Sequence, residues 1–126
     1  LYPEEQFPSI TAEAYPQMLA EMVEHGYKQF VVRDDKTNEA VGLAGFYHTM
    51  VPYMGGRVTK LVDFSVLETC QGLGIGKQLL QEVEKAGRRN KCVKLVLDTS
   101  KFREETISIY EKLGFESPRI LFERFL

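Results

Sequence analysis

Glycines occupy every second position of the segment 71–77, which reads QGLGIGK. Glycine loses more conformational freedom on folding than any other residue, so this spacing indicates a backbone that bends sharply or approaches another group closely. A strand pattern precedes the segment and a helical pattern follows it. The first amides of a helix lack acceptors and lie at its positive end, so an anion such as a pyrophosphate fits here, next to the charge of Lys77. A tight turn that binds nothing fits the glycine spacing equally well.

Two familiar phosphate-binding loops do not match this segment. A P-loop requires Gly, four residues and then Gly-Lys-Ser/Thr, whereas Gln71 stands at the first position and Gln78 at the last. The dinucleotide fingerprint G-x-G-x-x-G requires a glycine where Lys77 stands. It also follows a first strand, whereas three predicted strands precede this loop. The sequence therefore disfavours a nucleotide-binding module.

A third template matches better, because it involves two motifs in the expected order. Gln71, Gly74 and Gly76 fit the pattern Q/R-x-x-G-x-G/A of the GNAT N-acyltransferase superfamily. The segment 109–115, IYEKLGF, resembles that family's second signature, at the end of its last large helix. The chain therefore resembles the GNAT superfamily over residues 29–126.

The resemblance implies a donor site for acetyl-CoA in a gap between two parallel, splayed strands. The pantetheine arm would lie along the backbone of Phe64, Ser65 and Val66, in the manner of an added strand. Tyr110 stands where the family has a tyrosine that acts as general acid toward the leaving thiolate. The pyrophosphate would be held by the glycine loop with its neighbouring lysine, formed by Gln71, Gly72, Leu73, Gly74, Ile75, Gly76 and Lys77.

The general base is less sharply indicated. An amine acceptor is mostly protonated at neutral pH and must lose a proton before it attacks a thioester. Asp63 is our first choice, while Glu68, Asp98 and His48 remain open, and each of the four also has an ordinary structural interpretation. Cys70 is interpreted as a packing residue, because the family transfers its acyl group directly.

Periodicity predicts the elements that position these residues. The expected fold is α/β, a mixed sheet in the order α-β-β-β-α-β-α-β. The first three strands form an antiparallel meander, and a helix between the third and fourth implies a right-handed parallel crossover. The helices are predicted at 9–25, 74–89 and 103–113, and the strands at 29–33, 40–48, 58–67, 93–97 and 120–126.

Alternation along the third strand predicts which side chains share a face. It places Leu61, Asp63 and Ser65 on one face of the sheet. The opposite face is predicted to carry Val62, Phe64 and Val66.

Composition bounds the class of protein. The 126 residues suffice for one domain, and 44% hydrophobic with 27% charged residues is typical of a globular protein. We expect no membrane segment, because no apolar run approaches the length that a bilayer requires. A net charge of −2 argues against nucleic acid as a partner. The two cysteines match no metal-ligand spacing, so we expect no metal and a cytoplasmic protein.

These features together predict one acetyltransferase domain over residues 1–126. Its expected reaction is transfer of an acetyl group from acetyl-CoA to a primary amine of a small molecule or peptide. The alternative is a GNAT fold that binds CoA or a partner without catalysis. Because the sequence begins at Leu1 and lacks counterparts of the family's first strand and first helix, we expect a missing amino-terminal piece, with a homodimer as the other explanation.

Overall fold

A computed structural model of the chain describes residues 11–100 and 103–126. The described residues up to Leu97 form one compact unit, the sheet unit, and those from Asp98 onward form another, the carboxyl-terminal unit. In the part of the chain that the structure describes, no helix is both long and apolar enough to cross a membrane. The sheet unit contains helices α1 (Tyr15–Glu24) and α2 (Ile75–Arg89) and strands β1 (Lys28–Arg33), β2 (Ala40–Val51), β3 (Gly56–Val66) and β4 (Lys94–Val96).

The four strands form one mixed sheet in the order β1-β2-β3-β4. The pairs β1–β2 and β2–β3 are antiparallel, whereas β3–β4 is parallel, with α2 as the crossover. The predicted α/β fold, with a meander followed by a parallel β-α-β unit, is confirmed. The observed β2 continues three residues beyond its predicted end to Val51, and β4 is shorter than the predicted 93–97.

A β-bulge at Val62 corrects the predicted faces of β3. Gly45 pairs with Asp63 and the next residue, Phe46, pairs with Leu61, so Val62 has no partner of its own on β2. An extra residue on one strand reverses the alternation beyond it. Leu61 therefore shares a face with Phe64 and not with Asp63, as simple alternation had predicted.

The core lies between α2 and one face of the sheet. The helix presents an apolar stripe at helical spacing, and its central Val83 is fully buried. Phe46 and Leu61 are 1% and 6% exposed on that face of the sheet. Burying such side chains stabilises the fold by about 1.5–3 kcal/mol each. The buried residues of the stripe are Leu79, Leu80, Val83, Ala86 and Gly87.

Helix α1 begins later than the predicted residue 9. Pro16 stands in its first turn, where a missing N–H is tolerated, and its first residue is Tyr15. Residues 9 and 10 of the predicted helix lie outside the described residues. Gly26, with φ of 95°, follows the helix in the left-handed conformation that commonly ends helices.

The carboxyl-terminal unit contains α3 (Glu104–Lys112), close to the predicted 103–113. Gly114, with φ of 92°, follows it, and the amide of Phe115 returns to the carbonyl of Tyr110 at 3.0 Å. The predicted strand 120–126 is wrong: these residues form no strand, and Ile120 and Phe122 are 81% and 89% exposed. An apolar segment forms a strand only where an edge is available to pair with it.

Candidate active site

The glycine loop adopts a conformation that requires glycine at two positions. A short 3-10 turn at Glu68–Cys70 follows β3, and Gly72 and Gly74 both have φ of 83°. A Cβ at either glycine would meet nothing within 4 Å. The positive φ, rather than crowding, therefore accounts for glycine here.

The beginning of α2 leaves a run of backbone amides open. Gly74 occupies the N-cap position and no side chain caps the helix. Within the described chain, the amides of residues 72–77 have no acceptor, and the first to find one is that of Gln78, at 3.0 Å from the carbonyl of Gly74. Together with the helix dipole and the exposed Lys77, these amides give the loop the donors and the positive potential that suit an anion.

The side chain of Gln71 ties the loop to the end of β3. Its Nε2 donates to the carbonyl oxygen of Val66 at 3.2 Å. The amide of Leu67 donates to the carbonyl of Val41 at 2.9 Å, which anchors the same corner to β2. The loop is therefore fixed to two strands.

Within the described residues of the sheet unit, the edge of β3 that leads to the loop is unpaired on its β4 side. Parallel pairing joins only Val58, Thr59 and Lys60 to β4, although β3 continues to Val66. On the other side, the residues from Phe64 to Val66 pair with β2. Within the sheet unit, pairing between the two parallel strands thus stops at Lys60 and Val96, before β3 reaches the glycine loop.

Asp63 lies on the sheet face opposite α2, in a polar network that sequence reasoning missed. The hydroxyl of Tyr27 donates to Oδ2 of Asp63 at 2.6 Å, and Nε2 of Gln29 donates to the same hydroxyl at 3.1 Å. Burial, followed by the hydrogen bond to Asp63, raises the pKa of Tyr27 well above its ordinary value. The signal in the sequence was Gly45, because a glycine inside a strand often marks a close approach.

His48 and Glu68, the other candidate bases in the sheet unit, are not part of this network. His48 lies on the α2 face, where its Nδ1 is 3.0 Å from Oγ1 of Thr59, and burial lowers its pKa. Glu68 is exposed in the turn before the loop, and Asp98 is exposed in the carboxyl-terminal unit. Cys70 is a half-buried free thiol.

Tyr110 lies on α3 in the carboxyl-terminal unit. It is half-buried, with its ring edge-on to Phe115 at a centroid distance of 5.6 Å. Burial raises the pKa of its hydroxyl. The group therefore keeps its proton at neutral pH, as a general acid must.

A shallow groove of about 320 Å³ lies between α1 and β2. Tyr47 is two residues from Gly45 on the same strand, so both lie on the sheet face that carries Asp63. The ring of Tyr47 packs against that of Tyr27 at a centroid distance of 5.4 Å. The groove is lined by Met18, Glu21, Met22, His25 and Tyr47.

A mixed sheet with an antiparallel meander, a short parallel pair and an open helix start between them has the architecture of the GNAT-type acyltransferases. The comparison with family models agrees: the acetyltransferase (GNAT) family matches residues 1–115. The chain belongs to this family.

Two curated relatives match about half of the chain. Glucosamine 6-phosphate N-acetyltransferase of Trypanosoma brucei brucei is 38% identical over 64 residues, which are 50% of this chain and 42% of the relative. The protein of the same name from Candida albicans is 34% identical over 61 residues, 48% of this chain and 39% of the relative. The matches thus span less than half the length of these relatives.

Solved structures match nearly the whole chain. A Trypanosoma brucei acetyltransferase has a TM-score of 0.75 and 25% identity, over 94% of this chain and 82% of that one. AAC(6')-Iy, solved with the bisubstrate analogue CoA-S-monomethyl-acetylneamine, has a TM-score of 0.78 and 24% identity, over 98% and 86%. This second likeness is one of fold.

Proposed function

We propose that the protein is an N-acetyltransferase that moves an acetyl group from acetyl-CoA directly to a primary amine. One observation carries the proposal: the open amides of residues 72–77 adjoin an unpaired strand edge. Such a pair of features suits a ligand that carries a pyrophosphate at one end and an amide-containing arm at the other. Family membership supports the same reaction.

The donor would be held largely by backbone atoms. The amides of the loop, aided by Lys77, would bind the pyrophosphate of acetyl-CoA. The edge of Phe64, Ser65 and Val66 would hydrogen-bond the pantetheine amides. Acetyl-CoA supplies an activated acetyl group as a thioester, and the bisubstrate complex of AAC(6')-Iy, a protein of the same fold, contains a CoA moiety.

Asp63 would act as the base. Its Oδ2 accepts the hydrogen bond of Tyr27, whereas Oδ1 accepts none from the described residues. A carboxylate oxygen that is free in this way can take a proton from an ammonium group, directly or through water. The neutral amine nitrogen then forms the new C–N bond to the acetyl carbon.

Tyr110 would act as the acid. As the C–S bond breaks, its hydroxyl gives a proton to the departing sulfur, which leaves as a thiol. The motif around Tyr110 and the pKa raised by burial support this assignment. The ammonium nitrogen loses two protons in all. The first returns to solvent through Asp63, and the second, lost as the amide forms, passes through solvent to replace the proton that Tyr110 gave to the sulfur.

The acceptor would enter from the groove of α1. Glu21 lines this groove, and Asp63 lies on the same sheet face, so the site favours a cationic amine. The curated relatives are named for an amino-sugar acceptor, which makes amino sugars the first class to screen.

We further propose a cytoplasmic protein, consistent with its two free thiols, and a homodimer.

The first experiment is thermal unfolding with acetyl-CoA, CoA, ATP and NAD as separate additions. At a ligand concentration of about 100 times Kd, binding stabilises by about 2.7 kcal/mol, which shifts Tm by several degrees. We expect shifts with acetyl-CoA and CoA only. Turnover is then measured by thiol release with glucosamine, glucosamine 6-phosphate, neamine and lysine.

Three results would count against the proposal. A shift with ATP or NAD alone would identify a nucleotide-binding module. Donor binding without thiol release across an enlarged amine panel would favour a CoA-binding domain that does not catalyse. No shift with any ligand would favour a GNAT fold used for interaction.

A further inference from the structure

Three residues on adjacent strands form one row across the sheet. Gln29 on β1 pairs with Gly45 on β2, which in turn pairs with Asp63 on β3. Tyr27 lies over this row, and its hydroxyl joins Gln29 to Asp63 above the central glycine. The row thus places a hydroxyl between an amide donor and a carboxylate acceptor.

The middle of the row provides the space that the phenol needs. A Cβ on Gly45 would overlap the hydroxyl of Tyr27 and would lie 2.5 Å from its Cζ. Glycine in a strand interior weakens the strand, and Gly45 is the position at which the ring crosses it. Tyr27 itself is 5% exposed, so its hydroxyl has little access to water and depends on these partners.

The network fixes one oxygen of the Asp63 carboxylate. Since Gln29 donates to the hydroxyl oxygen, the hydroxyl proton is directed to Oδ2 of Asp63. The carboxylate therefore cannot rotate without breaking a 2.6 Å hydrogen bond, and Oδ1 is left as the oxygen available to a substrate. Burial raises the pKa of Tyr27, so its hydroxyl keeps the proton that it donates to Asp63.

We propose that Tyr27, oriented by Gln29, is a positioning residue that aims the free oxygen of Asp63 at the amine acceptor. This inference rests on the proposed function, in which Asp63 is the base. It predicts that Tyr27 acts on turnover through Asp63 alone.

The test is a double-mutant cycle with Tyr27→Phe and Asp63→Asn, using acetyl-CoA and the best acceptor of the amine panel. We expect Tyr27→Phe to lower kcat about 10-fold, with KM for acetyl-CoA and the Tm shift with CoA unchanged. In the Asp63→Asn background, the same substitution should have no further effect on kcat. Gln29→Leu should lower kcat by a smaller factor, because the hydroxyl keeps its acceptor, and this variant also covers the case in which Tyr27→Phe fails to fold.

Thr59→Val is the matched control, because it also removes a hydroxyl that bonds a side chain, His48, but on the opposite face of the sheet. It should lower Tm while leaving kcat unchanged.

Equal kcat for Tyr27→Phe and wild type, or an additive loss in the double mutant, would overturn the positioning role and leave the transferase proposal standing. Full turnover by the Asp63→Asn variant would show that Asp63 is not the base, and it would overturn this inference as well. No turnover by the wild-type protein with any amine would overturn the proposed function itself.

Discussion

A Cβ placed on Gly42 would lie 2.9 Å from Cγ2 of Ile75, so β2 and the first residue of α2 are in direct contact. The start of the helix is therefore fixed against the sheet. Gln71 fixes the other end of the loop through the carbonyl of Val66. The open amides are thus held in place before any donor binds, which reduces the entropy cost of binding.

Gly74→Val should abolish the donor site. A β-branched residue in the left-handed conformation costs about 1–3 kcal/mol, and the chain would relieve that strain by turning the loop amides away. We expect more than a 10-fold rise in Kd for acetyl-CoA, measured by calorimetry. Gly55→Val is the control, since Gly55 also has positive φ, with φ of 100°, but lies between β2 and β3. Equal donor affinity in both variants would rule out the loop as the pyrophosphate site.

Tyr110→Phe should retain donor binding and lose turnover by about 100-fold, the usual contribution of a general acid. The pH profile gives a second readout. Burial raises the pKa of Tyr110 above its ordinary 10.0, so the acid stays protonated through the neutral range and is lost only above about pH 10. In the pH profile of the wild-type protein, kcat should therefore fall on the alkaline side only above about pH 10. Undiminished kcat in the variant would refute the role.

Glu21→Gln should weaken cationic acceptors. Glu21 lines the groove and is exposed, so a charge pair with a bound amine is worth up to about 1 kcal/mol. We expect KM for the acceptor to rise about 2- to 5-fold with little change in kcat. Glu24→Gln, one turn further along α1 and not among the groove residues, should leave KM unchanged. A similar effect from both substitutions would indicate a long-range electrostatic effect of the negative charge rather than a direct contact between Glu21 and the acceptor.

Two phenylalanines provide a test of the fold. Phe46→Ala should destabilise by about 3–5 kcal/mol, because Phe46 is 1% exposed in the core. Phe122→Ala should change the free energy of unfolding by no more than about 0.5 kcal/mol, because Phe122 is 89% exposed. Chemical denaturation measures both. A large loss for Phe122→Ala would mean that the terminal segment packs as the strand that its sequence suggests.

Local patterns in the sequence predict most of the sheet unit. The apolar spacing of α2 and the compact aliphatic run of β4 reveal a parallel crossover, and the glycine spacing reveals the loop between β3 and α2. These signals are local, since each depends on neighbouring residues of one element. The strand predicted at 120–126 depends instead on a partner edge, which its own residues cannot reveal.

The polar network was beyond prediction for a similar reason. Tyr27 and Asp63 are 36 residues apart, and no single periodicity connects them. Their meeting depends on the register of three strands and on the bulge at Val62. Gly45 was visible as a glycine inside a strand, but the ring that occupies its space was not.

The bulge makes β3 sensitive to chain length rather than to side-chain identity at one position. Val62 is 40% exposed, so its replacement by another β-branched residue should be tolerated. Its deletion would instead restore unbroken alternation and exchange the faces of the residues on one side of it. Aligned relatives that differ by one residue here would present a different side chain at the position of Asp63. In a mutational scan, substitutions of Val62 should therefore have mild effects, whereas its deletion should have a severe one.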